Sequence, residues 1–254
     1  MFRVVIPVRY ASTRLPGKAL MPLDDKPIIQ WVYERASAAG AHEVLIATDD
    51  DLIVSAAHSF GAEVVMTSTG HASGTDRIAE VARLRGWSPA SVVVNVQGDE
   101  PLMPAALIRQ VAVLLAAHAN ADMATLATPI TTLSEFLDPN TVKVVADGAG
   151  RALYFSRAPI PWNRDGAPAG LASQRELHGA RRHIGIYAYR VAALLRLAAL
   201  PVSALENSEK LEQLRALEDG FDIRVAEAAQ RPGPDVNTLA DLERVRAQIA
   251  HGHG

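Results

Sequence analysis

Short apolar runs alternate with longer amphipathic segments over residues 1–96 of the chain. Runs rich in β-branched residues predict strands, and apolar residues at helical spacing predict helices. The predicted strands are Phe2–Val8, Glu43–Thr48, Glu63–Thr67 and Ser91–Val96, and the predicted helices are Pro27–Gly40, Asp51–Phe60 and Thr75–Arg85. Almost wholly apolar strands alternating with helices are typical of a parallel sheet covered on both faces.

The second half of the chain has a less regular pattern. We predict a hairpin of Val142–Val145 and Ala152–Arg157 around the Asp147-Gly148 turn. The later predicted elements are a strand at Arg182–Arg190, a helix at Glu206–Glu218, a strand at Phe221–Ala226 and a final helix from Asn237, with Thr238 and Asp241 as further capping candidates. No internal repeat or linker divides the sequence, so residues 1–254 are expected to form one α/β domain.

Polar clusters follow the predicted strands of the first half or lie in the loops just after them. They occupy residues 9–18, 48–51, 70–77 and 97–101. In parallel α/β sheets, ligands bind beyond the carboxyl ends of the strands. We therefore expect these clusters to meet at one edge of the sheet.

Composition excludes several classes of site. The formal net charge of −3 argues against a dedicated nucleic-acid surface. The chain has no cysteine, which excludes disulfides, thiolate zinc sites and cysteine nucleophiles. No run approaches the roughly 18 apolar residues of a membrane span, and the apolar run at the N-terminus is too short for a secretory signal. A soluble, cytoplasmic protein is expected.

The loop after the first predicted strand concentrates positive charge. Its polar side chains are the cations Arg9, Arg14 and Lys18 and the hydroxyls Ser12 and Thr13. Arginine grips two oxygens of an anion at once and lysine supplies a mobile charge. Gly17 would let backbone N–H groups approach the anion. This composition predicts a triphosphate-binding loop; the alternative is a surface loop with solvated cations.

Two familiar nucleotide-binding motifs do not fit this loop. A Walker A loop requires glycine where Ser12 stands and a hydroxyl where Ala19 stands. No Gly-x-Gly-x-x-Gly follows the strand either, which leaves an NAD-dependent oxidoreductase poorly supported.

An acidic cluster follows the most apolar predicted strand. Gln97 and Gly98 precede Asp99 there. Magnesium in proteins prefers one or two carboxylates together with phosphate oxygens and water. Asp99 is therefore a candidate to hold Mg²⁺ against a triphosphate, and Gln97 to bind a sugar hydroxyl or carboxylate. The alternative is that Asp99 only caps a turn.

Nine motifs in order closely resemble the 3-deoxy-manno-octulosonate (Kdo) cytidylyltransferases, also called CMP-Kdo synthetases. The motifs are Arg9–Lys18, Ala47–Asp49, His71–Arg77, Asn95–Pro101, Val142–Val145 with Ala152–Arg157, Ile160–Trp162, Arg182–Tyr187, Leu205–Arg215 and Asp241–Val245. The resemblance implies a Rossmann-like, mostly parallel mixed sheet sandwiched by helices, as in nucleotide-diphospho-sugar transferases. It also implies a smaller β-rich region for sugar binding and dimerisation at about residues 130–225.

The resemblance also implies an activity and roles for residues. The activity is Mg²⁺-dependent transfer of CMP from CTP to the anomeric hydroxyl of Kdo, for lipopolysaccharide synthesis, by a homodimer. The nucleotide would be bound by Arg9, Ser12, Thr13, Arg14, Lys18, Ser73, Gly74 and Arg77, with Arg14, Lys18 and Asp99 as the catalytic set. The sugar would be bound by Gln97, Arg157, Arg164, His183, Tyr187 and Glu206.

One departure from the family concerns the metal. The family usually carries Gly-Val-Asp-Thr before the last helix, and that Asp is a second metal ligand. This chain has Asp235-Val236-Asn237-Thr238. Asn237 keeps a carbonyl oxygen but loses the charge, so metal affinity should fall unless Asp235 compensates. Asp76 is a smaller departure, since Glu is more common there.

The sequence also fits alternative functions and roles. One alternative acceptor is sialic acid or an 8-amino Kdo analogue, and a different class of function is a nucleotide-sugar sensor without turnover. The alternative for Arg157 and Arg164 is an exposed basic loop, and for Tyr187 it is a core contact. The alternative for Glu206 is a surface pair with Lys210, four residues on.

Overall fold

The computed structural model describes residues 1–11, 15–167, 169–174 and 176–250. Ser12, Thr13 and Arg14 lie outside these residues. The strands are β1 (Phe2–Pro7), β2 (Pro22–Leu23), β3 (Lys26–Pro27), β4 (Glu43–Thr48), β5 (Glu63–Met66), β6 (Val92–Asn95), β7 (Met123–Pro129), β8 (Lys143–Ala146), β9 (Ala152–Ser156), β10 (Arg181–Arg190) and β11 (Ile223–Glu227).

Helices alternate with most of these strands, as the sequence pattern predicts. The helices are α1 (Ile28–Ala38), α2 (Asp51–Ser59), α3 (Gly74–Leu84), α4 (Ala105–Ala117), α5 (Leu133–Leu137), α6 (Val191–Ala199), α7 (Ala204–Glu209), α8 (Gln213–Glu218) and α9 (Leu239–Ala250). Short 3₁₀ helices cover Lys18–Leu20 and Leu171–Ser173. Within the described residues, no helix is long and apolar enough to span a membrane.

The main sheet is mixed, in the order β11-β7-β10-β6-β1-β4-β5. Strand β1 pairs in parallel with β4 and β6, and β5 extends this parallel half. Strand β10 runs antiparallel between β6 and β7, and β11 pairs in parallel with β7. The β8–β9 hairpin joins through β10. This topology confirms the predicted α/β class.

Both faces of the sheet are buried. On one face, apolar side chains of α1, α2, α4 and α9 pack against alternate residues of the strands, such as Val4 and Val94. On the other face, α3, α6 and α8 cover the intervening residues, such as Val5 and Val93. Burial on both faces explains why β1 and β6 carry almost no polar residue until they reach the edge of the sheet.

Several boundaries differ from the predictions. The predicted helix Glu206–Glu218 is wrong as a single element: α7 ends at Glu209, Lys210 takes a left-handed φ of 54°, and α8 begins three residues later. The final helix begins at Leu239 rather than Asn237. The Thr238 hydroxyl accepts from the Asp241 N–H (3.2 Å) and the Asp241 carboxylate from the Thr238 N–H (2.8 Å), so these two residues cap α9.

Candidate active site

The loops that follow β1, β5 and β6 meet around one cavity of about 280 Å³. Its walls come from three of the polar clusters singled out in the sequence. The lining residues are Pro7, Val8, Arg9, Lys18, Ala19, His71, Ala72, Ser73, Gly74, Arg77, Gln97, Gly98 and Asp99. The fourth cluster reaches the same place through Asp49, which pairs with Arg77. The predicted convergence at the sheet edge is therefore correct.

Lys18 joins the cation-rich loop to the acidic cluster. Its ammonium group pairs with the Asp99 carboxylate and donates to the Val236 carbonyl oxygen at 3.1 Å. The Val236 N–H in turn donates to the Asp99 carbonyl oxygen at 2.9 Å. These contacts place the segment before α9 beside the loop after β6. The predicted roles of Ser12, Thr13 and Arg14 concern residues outside the described part of the chain.

Gly17 needs its lack of a side chain for its backbone conformation. Its φ is 69°, a left-handed value that favours glycine, and its N–H donates to the Tyr10 carbonyl oxygen at 2.9 Å. The glycine therefore closes the loop from Tyr10 to Gly17 and does not offer its amide to an anion. At Gly98 the backbone itself packs closely against the cavity wall, since an added Cβ would lie 3.0 Å from Val8 Cγ2.

The first turn of α3 forms one wall of the cavity. The Ser73 hydroxyl accepts from the Asp76 N–H and the Asp76 carboxylate accepts from the Ser73 N–H, both at 3.1 Å, which is a capping box. Asp76, the position where the family prefers Glu, thus retains the capping role with a shorter side chain. Ser73 and Gly74 line the cavity as predicted for nucleotide-binding residues.

Arg77 lies at the base of the cavity and is almost fully buried. One of its terminal nitrogens contacts the Thr67 hydroxyl, and the other donates to the Asp49 carboxylate at 2.8 Å. The buried charge is thereby paired and held in one orientation. Arg77 lines the predicted nucleotide cavity, and Asp49 neutralises it there.

His71 is a cavity residue that the sequence analysis quoted only as part of a motif. Its Nε2 contacts the Glu80 carboxylate, which also accepts from the Ser68 N–H at 2.9 Å. Burial favours the neutral acid, but the hydrogen bonds from His71 and Ser68 outweigh it and lower the pKa of Glu80. Glu80 therefore anchors the loop that carries His71. The role of His71 in the cavity is visible only from its contact with Glu80, which lies three residues beyond the end of the motif.

A second cavity of about 130 Å³ adjoins the first and shares Gly74 and Gln97 with it. Its other lining residues are Thr75, Asn95, Met123, Gly185, Tyr187, Tyr189, Leu197, Glu212 and Gln213. Two predicted sugar-binding residues, Gln97 and Tyr187, are thus brought together. The sequence analysis assigned Glu212 and Gln213 no role, because Leu211 and Leu214 beside them are typical of a packed segment.

The Tyr187 hydroxyl is buried at this cavity and has no hydrogen-bond partner among the described residues. Burial raises the pKa of Tyr187, so the phenol stays protonated. A buried hydroxyl without a partner is costly unless a ligand or water satisfies it. Its position therefore indicates a polar ligand in the small cavity.

His183 lies beside Tyr187 on the same face of β10, as predicted. The ring centroids are 5.2 Å apart, and a bulge between Ile184 and Tyr187 does not separate the two side chains. His183 Nε2 is 3.0 Å from the Thr125 hydroxyl oxygen. Burial, aided by the charge of Arg182, lowers the pKa of His183 to about 3. The imidazole is therefore neutral and supports Tyr187.

Arg157, Arg164 and Glu206 are not among the residues that line the two cavities. Arg157 is bound to backbone carbonyl oxygens of Glu209 and Pro139. Arg164 is exposed in the segment between β9 and β10. Glu206 caps α7 with Ser203 and pairs with Arg215 at 3.3 Å, so the surface pair with Lys210 is not formed.

Carboxylates gather beside Lys18. Burial, reinforced by the charges of Asp99 and Asp235, raises the pKa of Glu100 to about 8, with Arg182 opposing the shift. The Asn237 amide contacts the Asp235 carboxylate. Among the described residues, no three acidic or histidine side chains already converge as a metal-binding group.

Comparisons with known proteins decide the family. The profile of the cytidylyltransferase family matches residues 3–223. A 3-deoxy-manno-octulosonate cytidylyltransferase of Thioalkalivibrio sulfidiphilus (strain HL-EbGR7) is 56% identical over 96% of this chain and 97% of its own length. The enzyme of that name from Cellvibrio japonicus (strain Ueda107) is 57% identical, over 99% of both chains. This chain belongs to the 3-deoxy-manno-octulosonate cytidylyltransferase family.

Solved structures agree with this family assignment. CMP:2-keto-3-deoxy-manno-octonic acid synthetase, solved in complex with CTP, superposes with a TM-score of 0.89 at 41% identity, covering 99% of this chain and all of its own. A cytidylyltransferase from Leptospira borgpetersenii serovar Hardjo-bovis (strain JB197) has a TM-score of 0.63 at 17% identity, covering 98% and 86%, and shows the fold alone. The resemblance found in the sequence is confirmed.

Proposed function

We propose that this protein transfers CMP from CTP to the anomeric hydroxyl of Kdo and releases pyrophosphate. The observation that carries the proposal is the pair of adjoining cavities, one lined by Arg9, Lys18 and Ser73 and the other by Tyr187. The two share Gln97, so a nucleotide and a sugar would meet there. The relatives' names identify the nucleotide and the sugar.

The larger cavity suits the nucleotide. Arg9 and Lys18 would contact the phosphates, together with Ser12, Thr13 and Arg14 from the same loop. Ser73, Gly74 and Arg77 would hold the cytidine. Charged donors of this kind bind phosphate oxygens strongly, and they would stabilise the pyrophosphate as it leaves.

The acidic side chains fit Mg²⁺. The Lys18 ammonium neutralises the Asp99 carboxylate, and burial, reinforced by the charges of Asp99 and Asp235, raises the pKa of Glu100. A site of this chemistry accepts a hard cation with oxygen ligands. Asp99 would hold it, with Asp235 or the Asn237 carbonyl oxygen as the second ligand. When bound, Mg²⁺ would polarise the α-phosphate and lower the pKa of the attacking hydroxyl.

Alignment and charge neutralisation account for the rest of the catalysis. The anomeric oxygen of Kdo attacks the α-phosphorus as pyrophosphate leaves from the opposite side. Gln97 and Tyr187 would bind sugar hydroxyls, and the Tyr187 hydroxyl is free to accept such a bond. Arg157, Arg164 and Glu206 would complete the sugar site from the loop after β9 and from α7. No side chain of the cavities is assigned as general base.

A pyrophosphate-release assay tests the proposal directly. We expect release with CTP, Kdo and Mg²⁺, and formation of CMP-Kdo by mass spectrometry. UTP, ATP and GTP should react far more slowly, as should sialic acid or an 8-amino Kdo analogue in place of Kdo. A chelator should abolish turnover and added Mg²⁺ restore it. Binding of CTP without any pyrophosphate release would instead favour the non-catalytic sensor.

We also propose that the protein acts as a cytoplasmic homodimer. Exposed apolar side chains support a self-association surface, among them Leu153 on β9 and Val202 and Leu205 around the start of α7. Analytical ultracentrifugation of the purified chain tests the oligomeric state. A monomer at micromolar concentration would contradict this part of the proposal without affecting the assigned reaction.

A further inference from the structure

Lys143 is a fully buried lysine at the start of β8. Its ammonium group donates to three backbone carbonyl oxygens, those of Asp138 at 3.0 Å, Thr141 at 2.6 Å and Arg157 at 2.6 Å. All three donors of the ammonium are thus satisfied. Burial lowers the pKa of Lys143, although the carboxylates of Asp138 and Glu209 oppose the shift. A buried charge is a poor source of stability compared with an apolar side chain, which suggests a role beyond packing.

Glu209 holds the same segment from the opposite side. It is the last residue of α7, and its carboxylate accepts from the Arg157 N–H at 2.8 Å and from the Ser156 hydroxyl at 2.6 Å. Its carbonyl oxygen accepts from Arg157 Nε at 2.6 Å. A lysine from the sheet and a glutamate from a helix therefore bind the two backbone polar groups of one arginine.

The side chain of Arg157 is fixed without being neutralised. Nε and Nη1 donate to carbonyl oxygens of Glu209 and Pro139, at 2.6 and 2.9 Å. Within the described residues, no carboxylate forms an ion pair with this guanidinium, and Nη2 has no acceptor. The charge and one terminal nitrogen remain available for an anion, and a planar guanidinium matches a carboxylate.

Glu209 also ties this arginine to the small cavity. Glu212 and Gln213, three and four residues further on, line that cavity beside Tyr187. Only three residues, 210–212, connect α7 to α8. A shift of α7 relative to β9 would therefore move Arg157 and the cavity wall together.

We propose that Lys143 and Glu209 are positioning residues that set Arg157 to receive the carboxylate of the acidic sugar. This inference rests on the proposed function. A positioning role and a purely structural role predict different effects. If Lys143 positions Arg157, its loss should weaken the binding of the sugar and leave the binding of CTP unchanged. A general loosening of the domain would weaken the binding of both substrates.

A double-mutant cycle on the full chain tests the inference, with initial rates of CMP-Kdo formation as the readout. Lys143→Met should raise KM for Kdo about tenfold or more, the loss expected when a charged group's hydrogen bonds are misplaced. KM for CTP should stay within about twofold. In an Arg157→Met background, Lys143→Met should add almost nothing to KM for Kdo, because the residue through which it acts is gone.

Matched variants keep the test decisive. Lys26→Met removes a lysine charge from a partly exposed pair with Glu34, away from the residues lining both cavities, and should leave both KM values unchanged. Should Lys143→Met fail to fold, Glu209→Gln, which keeps the shape of the side chain, takes its place in the cycle. Equal changes in both KM values, or effects that add in full with Arg157→Met, would overturn the positioning role. An inactive wild-type chain would instead overturn the proposed function.

Discussion

The ammonium group of Lys18 and the carboxylate of Asp99 form an ion pair across 81 residues of sequence. The pair links the loop after β1 to the loop after β6, two strands that are neighbours in the sheet. Val236 contacts both partners through its backbone, which brings the segment before α9 into the same group. Lys18, Asp99 and the segment that carries Asp235 and Asn237 thus share one location.

The first prediction concerns Asp99. Asp99→Asn should lower kcat by about two orders of magnitude or more, because a Lewis-acid cation contributes several kcal/mol to such a reaction and the variant loses its main ligand charge. The melting temperature should change little, since the side chain lies at the sheet edge. Rates measured across a range of Mg²⁺ concentrations check this.

Asp24→Asn is the matched control for that experiment. Asp24 is exposed, away from the residues lining both cavities, and its left-handed φ of 58° is one that Asn tolerates. It should leave kcat and the Mg²⁺ dependence unchanged. Normal turnover of Asp99→Asn at ordinary Mg²⁺ would rule out Asp99 as the principal metal ligand.

The second prediction uses two glycines. An added Cβ at Gly98 would meet Val8 Cγ2 at 3.0 Å and the Pro7 carbonyl oxygen at 3.3 Å. Gly98→Ala should therefore cost about 1–3 kcal/mol in the free energy of unfolding, by overpacking, and should displace Asp99 and lower kcat. Gly148→Ala, where a Cβ meets nothing within 4 Å, should change neither quantity. Denaturant unfolding and steady-state rates check the pair, and indistinguishable behaviour of the two variants would contradict the close approach.

The third prediction concerns the unpartnered hydroxyl of Tyr187. Tyr187→Phe should change the free energy of unfolding by less than about 0.5 kcal/mol, because no protein hydrogen bond is lost. KM for Kdo should nevertheless rise. Thr125→Val is the contrasting variant, since its hydroxyl donates to the carbonyl oxygens of Ile184 and Ile186 at 3.0 and 2.8 Å. It should destabilise the fold, and an unchanged KM for Kdo in Tyr187→Phe would remove Tyr187 from the sugar site.

The sequence predicted most of the parallel half of the sheet because β1, β4 and β6 are buried on both faces and are mostly apolar. Their shared edge followed from that topology, which is why Lys18, Ser73 and Asp99 could be assigned to one site before their contacts were known. By contrast, α4 and β7 received no assignment. Eleven of the thirteen residues of α4 are apolar, so the helix has no clear polar face and its periodicity is weak.

Other parts of the site depend on tertiary contacts that local pattern does not encode. The break at Lys210 interrupts a run with good helical spacing, because α7 ends on the contacts of Glu209 with Arg157. Glu206 pairs with Arg215 across that break instead of with Lys210. Glu212 and Gln213 reach the small cavity for the same reason. Spacing along one helix could predict none of these pairings.

The last prediction follows from the neutral imidazole of His183. Burial lowers its pKa to about 3 in the folded state, against about 6.5 in the unfolded chain. Below pH 6.5 the unfolded chain therefore takes up a proton that the folded protein refuses until near pH 3, so stability falls as the pH falls through this window. Between pH 7 and pH 5, His183 alone should lower the free energy of unfolding by about 2 kcal/mol. In denaturant unfolding, the free energy of unfolding of His183→Gln should fall by about 2 kcal/mol less over this range than that of the wild type. His42→Gln changes an exposed histidine and should show the wild-type pH dependence. Equal pH dependence of all three proteins would show that His183 is protonated in the folded state.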